Sequence, residues 1–501
     1  MDNEYKYLDL LERKLDPLQR KVCCRTDNTV VAAGAGSGKT QVLATRFAWL
    51  VMSVGIPASK ILTITFTKKA TGEMYERIYQ TLSFFAENPQ TPETERQRAK
   101  EALEDFSNVH IQTFDSYCKG IVAQAANSYG IRPDFSVGDG DAESEIKKQA
   151  LPFVFENRES AGIKTFAQVG GYQNFADKIL SSTIIKNTSI ITPEGFFVKK
   201  LELQKKEVIQ AWNFLLLGET AKTNPCPASL REAYNDYLEE TNKGIKVNLG
   251  AANLNSALST FSSALTECSA TTEEIYLESE KTQEFLQSIS IQDMILPSDL
   301  DFEKPDSEEL KKLDAVLEIF NHFGIKYCGK KTVKDLWTSI KPVRKGSFLE
   351  QYISSLANYI KNYPAIKSLN ELFDRFTAQI NRQKRISGKL TFTDVSELSL
   401  EILIGRKEIR RQEKHAFSKI MIDEFQDNNG KNRDLLFLVS EKDFEGEEYA
   451  CKNGIPEAAD IVSDKLFFVG DEKQSIYKFR GAEVSVFNGL KSSLGEQNFL
   501  Q

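Results

Sequence analysis

Two short segments of this chain carry residue types that could handle phosphate. Ala33-Gly34-Ala35-Gly36-Ser37-Gly38-Lys39-Thr40 follows an apolar, β-branched run and precedes the helical pattern of Gln41 to Leu50. Glycines in such a loop let backbone N–H groups close around an anion at a helix N-terminus. Lys39 is then placed to reach β/γ-phosphates, and the Thr40 hydroxyl to hold Mg²⁺. Ala33 stands where the strict phosphate-loop pattern has glycine. The relaxed pattern arises by chance in about one chain in twenty-five of this length, so its strand-to-helix setting carries much of its weight.

The second segment is Ile420-Met421-Ile422-Asp423-Glu424-Phe425-Gln426-Asp427, an apolar run that ends on adjacent carboxylates. An isolated Asp-Glu pair is most often a solvated turn. Beside a phosphate cradle it gains a function: Asp423 completes a Mg²⁺ shell, and Glu424 orients and deprotonates an attacking water. Together the two segments supply both halves of an ATP–Mg²⁺ site.

Positioning these residues requires strands that end where the chemistry begins. Thr29–Ala33, Ile61–Phe66, Val109–Phe114, Lys419–Ile422 and Leu466–Val469 are short apolar runs, mostly without alternation. Such strands suit a parallel sheet covered on both faces, with ligands at the strands' C-terminal ends. Three runs precede residue 115 and two follow residue 418. Between them, segments such as Leu201–Leu217 and Leu349–Ile380 repeat apolar residues at three-to-four spacing, the period of amphipathic helices. Val122–Leu390 therefore reads as an insertion, with Asp139–Glu145 and Pro297–Glu309 as acidic loops and Glu441–Asp464 as a further polar insertion.

At 501 residues the chain exceeds one compact core. It has no apolar run long enough for a membrane span and no signal-peptide pattern at its start, so a cytoplasmic protein without membrane attachment is expected. Its 7 cysteines and 3 histidines are dispersed, which supports neither a disulfide framework nor a zinc site. A net charge of −7 argues against coating duplex DNA by bulk electrostatics but leaves room for a local single-strand groove. The basic stretch Lys326–Lys345, with Trp337 interleaved, reads as a solvated helix face, a grip on duplex DNA being the alternative.

Asp423-Glu424-Phe425-Gln426-Asp427 resembles the second ATPase motif of the UvrD/Rep/RecB superfamily of DNA helicases. Val469-Gly470-Asp471 through Gly481-Ala482 is similar to that family's third motif. The resemblance implies that Gln474 senses the γ-phosphate and that Tyr477, Phe479 and Arg480 meet single-stranded DNA, as a carboxamide and stacking groups can. Leu15-Asp16-Pro17-Leu18-Gln19 resembles the adenine-recognising segment, which gives Gln19 the base. Thr65-Phe66-Thr67-Lys68 and Thr113-Phe114-Asp115-Ser116 resemble two DNA-binding motifs, implying contacts by Thr65, Phe66, Thr113 and Ser116. Asp115 stands where many relatives have His, and phosphate repels an acid. Phe392-Thr393-Asp394-Val395 looks like the motif at which the chain re-enters the motor domain.

The resemblance implies an α/β, RecA-like P-loop NTPase sheet domain formed by residues 1–120 and 391–501, interrupted by a mostly helical domain at 121–390. The length of that interruption is closer to the RecB/AddA-like branch. It further implies a 3′-to-5′ helicase acting on single strands and single/double-strand junctions in repair or recombination. Nothing resembling the later motifs follows, so the second RecA-like domain, with its arginine for the γ-phosphate, is expected from another polypeptide or lost from this chain. A separate nuclease polypeptide is a further expected partner. A non-catalytic ATP- and DNA-binding module is the alternative. Lys39→Ala is expected to weaken ATP binding, and Glu424→Gln to bind ATP without hydrolysing it. Nucleotide titration beside a phosphate-release assay checks both, and unchanged affinity and turnover in both variants would remove the assignment.

Overall fold

The computed structural model describes residues 5–11, 14–34, 36–168, 170–218, 226–233, 253–260, 284, 288, 290–305, 307–321, 347–444, 451–471, 486, 489–490 and 499–500. The helices used below are α1 (Pro17–Cys23), α2 (Lys39–Trp49), α3 (Lys68–Glu87), α4 (Glu93–Glu104), α5 (Phe114–Ala125), α6 (Asp139–Glu156), α7 (Phe196–Leu217), α8 (Ser307–Asn321), α9 (Phe348–Lys361), α10 (Tyr363–Ser387), α11 (Phe392–Gly405), α12 (Lys407–Ala416) and α13 (Gly430–Ser440). The strands are β1 (Thr29–Ala32), β2 (Ile61–Thr65), β3 (His110–Thr113), β4 (Ser136–Val137), β5 (Lys389–Leu390), β6 (Lys419–Ile422), β7 (Leu466–Gly470) and β8 (Phe499–Leu500).

Six strands form one parallel sheet in the order β3-β2-β6-β7-β1-β8. The five apolar runs of the sequence are its first five strands in that order, each within a residue or two of the expected bounds. Successive residues feed opposite cores. Val30, Leu62, Ile64, Ile420, Ile422 and Phe468 pack with Ile121, Leu398 and Leu436 from α5, α11 and α13. Val31, Ile61, Met421, Phe467 and Val469 pack with Leu43, Phe47, Met74 and Ile78 from α2 and α3. Apolar side chains on both faces explain why these strands show no alternation. A pair too short to read from the sequence, β4 with β5, forms a second small sheet.

Register aligns the strand ends. Ala32 pairs with Gly470, Thr65 with Thr113, and Ile64 with Ile422. The phosphate loop, Phe66, Asp423 and Asp471 therefore all leave the sheet at its C-terminal edge.

The chain divides into two compact units. One comprises Met1–Glu145, Thr188–Ile191 and Ile380–Gln501; the other comprises Ile146–Asn187 and Thr192–Gln379. The first contains the sheet. The second has its own core of Trp212, Phe214, Phe302, Leu313, Ile353 and Tyr363, drawn largely from α7, α8 and α9. There Trp212 Nε1 donates to Met294 O at 3.1 Å, and Asn213 exchanges two bonds of 3.0 Å with the backbone of Leu296.

Two expected loops are corrected. Asp139–Glu145 opens helix α6, because Asp139 and Asp141 lie in its first turn, where the helix dipole favours acids. Pro297–Glu309 is a loop only to residue 305, since α8 starts at Ser307. Leu349–Ile380, expected as one amphipathic stretch, breaks at Asn362; Pro364 lies in the first turn of α10, where its missing N–H costs no helical bond.

The sheet unit closes on Asp394, fully buried at the start of α11. Its carboxylate accepts from Lys384 Nζ at 2.8 Å, Ile190 N at 2.6 Å and Thr391 N at 2.8 Å, while Asp394 N donates to Thr391 Oγ1 at 3.0 Å. Three chain segments thus share one carboxylate. Removing it leaves Lys384 buried and unpaired, so Asp394→Ala is expected to cost about 3–5 kcal/mol of stability. Urea unfolding measures this, and a loss under about 1 kcal/mol would contradict the anchor.

Candidate active site

The phosphate loop owes its shape to backbone positions that the sequence marks with glycine. Gly36 and Gly38 sit at φ 73° and 79°, a region that costs other residues strain. Ala33 adopts no such angle, and its N–H donates to Gly470 O at 2.9 Å, extending the β1–β7 ladder. The departure from glycine at that position is therefore without backbone cost. Gly38 caps α2, so Lys39 and Thr40 occupy its first turn. A Cβ at Gly34 or Gly36 would meet nothing within 4 Å, leaving the loop room for an anion. Ser37 Oγ is buried without a hydrogen-bond partner among the described residues.

Helix α1 is tied to this loop at its start and to α2 at its end. Asp16 and Gln19 form a reciprocal cap at its start, and Gln19 Nε2 donates to Ser37 O at 2.8 Å. At its end, the buried Arg46 of α2 donates from Nη1 to Cys23 O and Arg25 O, both at 2.8 Å, and stacks 4.0 Å over the ring of Phe467. Burial pulls the Arg46 guanidinium down to about 10. Gln19 thus reaches the loop, with one N–H and part of its carbonyl already engaged.

Strand β6 delivers the acidic pair. Lys39 Nζ lies 3.2 Å from Glu424 Oε2, with the Lys39 side chain 9% exposed. Glu424 adopts φ 52° and ψ 44°, a left-handed conformation rare for a residue with a side chain. Strain of this kind persists only where its surroundings hold it. Here Glu424 N donates to Asp423 Oδ1 at 3.0 Å, and Asp427 N to Glu424 O at 3.1 Å. Asp423 is 6% exposed; burial first, then the neighbouring Glu424, raises its carboxyl to about 6. A buried carboxylate at the end of β6 and the hydroxyl of Thr40 in the first turn of α2 are both hard-oxygen groups, the donor type that suits Mg²⁺.

Residue type and spacing gave Gln426 no role. Its Nε2 donates to Glu424 Oε2 at 2.7 Å, and its Oε1 accepts from Asp471 N at 2.8 Å. A carboxamide two residues beyond a candidate base was the available signal, but spacing alone does not show where it points.

Other predicted positions separate. Phe66 is half-buried just beyond β2. Thr65 and Thr113, expected to meet a nucleic acid strand, are 1% and 8% exposed. The Thr65 hydroxyl bonds Thr71 Oγ1 at 2.6 Å, and Thr113 caps α5 by accepting from Ser116 N at 3.1 Å. These threonines spend their hydroxyls on the turns. Ser116 is exposed, and Asp115 lies in the first turn of α5, where an acid is electrostatically favoured. Ala35, Gln474, Tyr477, Phe479, Arg480 and the basic stretch Lys326–Lys345 lie outside the described residues.

The family described as UvrD/REP helicase N-terminal domain matches residues 15–494. Among curated proteins, an ATP-dependent helicase/nuclease subunit from Clostridium botulinum (strain Alaska E43 / Type E3) is 25% identical, with 95% of this chain and 36% of that protein covered. The proteins of the same name from Syntrophomonas wolfei and Listeria monocytogenes serotype 4b are 27% and 26% identical, covering 94% and 92% of this chain and 34% and 35% of their own lengths. The chain thus spans about a third of these relatives, whose name agrees with the RecB/AddA-like branch.

The raised Asp423 carboxyl sets a pH dependence. Its proton is held more tightly in the folded chain than the ordinary carboxyl value of 3.8 implies, so its stabilising contribution is present below that value and lost as pH rises through about 6. Above this range the charged form opposes folding by up to about 3 kcal/mol. In divalent-free buffer, Asp423→Asn should therefore melt close to wild type near pH 4 and clearly higher at pH 7, with millimolar Mg²⁺ narrowing the gap by binding wild type. A constant difference across pH would contradict the buried carboxylate.

Proposed function

This chain belongs to the UvrD/REP helicase N-terminal domain family, and from that premise we propose that it is the ATP-binding and ATP-hydrolysing portion of a 3′-to-5′ DNA helicase of the RecB/AddA-like branch. The observation that carries the reading is the approach of Lys39 to Glu424 at 3.2 Å, which joins the phosphate loop to the candidate base.

In this reading the loop that starts at Ala33, whose own N–H is held by Gly470 O, cradles the phosphates with N–H groups from Gly34, Ala35, Gly36, Ser37 and Gly38, and Gln19 meets the adenine. Lys39 exchanges Glu424 for the β/γ-phosphates. Glu424, released from that pair, accepts the proton of the attacking water at its carboxylate. Thr40 and Asp423 hold Mg²⁺, which when bound supplies positive charge to the phosphate oxygens. Gln474 senses the γ-phosphate. Phe66, Tyr477, Phe479 and Arg480 stack on single-stranded DNA without reading its sequence, and Ser116 contacts its backbone. Thr65 and Thr113 serve by setting the turns that present these groups.

The proposed organisation is a RecA-like sheet domain built from both ends of the chain and interrupted by a helical insertion, expected at 121–390, of which 121–145, 188–191 and 380–390 belong to the compact unit of the sheet. The engine is completed by a second RecA-like domain, and a nuclease polypeptide is the proposed neighbour by analogy with the relatives' name. Single strands and their junctions with duplex are the proposed substrate, in cytoplasmic DNA repair or recombination. An arginine supplied to the γ-phosphate by such a domain is worth about 10³–10⁵ in turnover.

The test is Mg²⁺-ATP hydrolysis with and without single-stranded DNA, beside Glu424→Gln and a nucleotide-binding titration. DNA-stimulated turnover that Glu424→Gln abolishes is the expected result. Binding without turnover would favour a non-catalytic module, and absence of binding would overturn the reading.

A further inference from the structure

Gln426 is 1% exposed, and both ends of its carboxamide are engaged at the active site. The Nε2 donates to Glu424 Oε2 at 2.7 Å and lies 3.5 Å from Asp427 Oδ2. The Oε1 accepts from Asp471 N at 2.8 Å. Asp471 directly follows β7, whose final residue Gly470 pairs with Ala32 and accepts from Ala33 N at 2.9 Å. Gln426 is therefore fastened to the backbone corner from which the phosphate loop departs.

Glu424 needs such a fastening. Its backbone is left-handed, and its Oε2 is shared between Lys39 at 3.2 Å and Gln426 at 2.7 Å. A phosphate in the loop competes with Glu424 for Lys39, because an ammonium prefers the larger negative charge. Once Lys39 turns away, the Gln426 bond still orients the carboxylate. A neutral amide is suited to this task, since it restrains the carboxylate through one N–H without adding a charge that would lower its basicity.

We infer that Gln426 is the positioning residue that holds the Glu424 carboxylate in place for proton abstraction after Lys39 has left it. The inference rests on the reading of Glu424 as the base. Misplacing a reacting group by about 1 Å can cost about 10²-fold in rate, and that loss falls on turnover rather than on binding.

The experiment compares single-turnover ATP cleavage and ATP affinity for wild type, Glu424→Gln, Gln426→Leu and Gln426→Glu. Leucine removes both contacts at similar volume. Glutamate keeps an acceptor for Asp471 N and removes the donor to Glu424, so it reports on positioning even where Gln426→Leu fails to fold. The expected result is cleavage lowered by about 10²-fold with ATP affinity within about twofold of wild type. Wild-type cleavage in the Gln426 variants, or affinity lost in step with cleavage, would overturn the inference. If Glu424→Gln stops cleavage and the Gln426 variants do not, the positioning role alone fails. If Glu424→Gln still cleaves, the assignment of the base fails, and the role of Gln426 with it.

Discussion

The contact between Lys39 and Glu424 joins residues 385 positions apart in the chain, and most of the sheet unit exists to make it possible. Lys39 is placed by the glycine-capped start of α2, which depends on β1. Glu424 is placed by the end of β6. These two strands are not neighbours: β7 lies between them, so the distance across the site is set by two strand spacings and by register. A slip of one residue in any of these pairings would turn the terminal side chains to the other face. Because both faces are apolar, it is the fit of particular side chains against α5 and α11 on one face and α2 and α3 on the other that opposes the slip.

Buried charge does the corresponding work away from the site. Asp394 collects a lysine and two backbone N–H groups, Arg46 collects helix-end carbonyls, and Arg410 meets Glu441 at 2.6 Å with both side chains fully buried. Each ion is costly to dehydrate and is retained where several hydrogen bonds share it. Their geometry is specific in a way that apolar packing is not. Arg46, for example, fixes where α1 ends relative to α2, and so where Gln19 meets the loop.

The strands were legible because burial on both faces leaves an unbroken apolar run, a pattern that survives without any tertiary information. The phosphate loop and the acidic pair were legible because their chemistry demands particular residue types at fixed spacing. Other features were not. The left-handed backbone of Glu424 follows from how β6 turns into its neighbours, which residue identity does not encode. Gln426 looked like one polar residue among several, since its value depends on reaching Asp471 from another strand. Thr65 and Thr113 matched DNA-binding motifs in type and spacing, yet their hydroxyls serve the helix starts. The acids at 139–145 suggested a loop by composition, whereas position at a helix N-terminus made them favourable.

Strand order also bears on how the chain acquires its structure during synthesis. β1 finds its partners in β7 and β8, and β2 lies between β3 and β6, so the centre of the sheet waits for strands encoded after residue 418. Translation at about 5–20 residues per second puts roughly 15–60 s between the emergence of β3 and that of β6. Through that interval β1 is an apolar strand without a pairing edge, and β2 can pair only with β3. Parallel pairing at such long separation is slow to nucleate. The nascent chain is thus a prolonged client for whatever shields apolar strands at the ribosome, and its nucleotide site is among the last features to form.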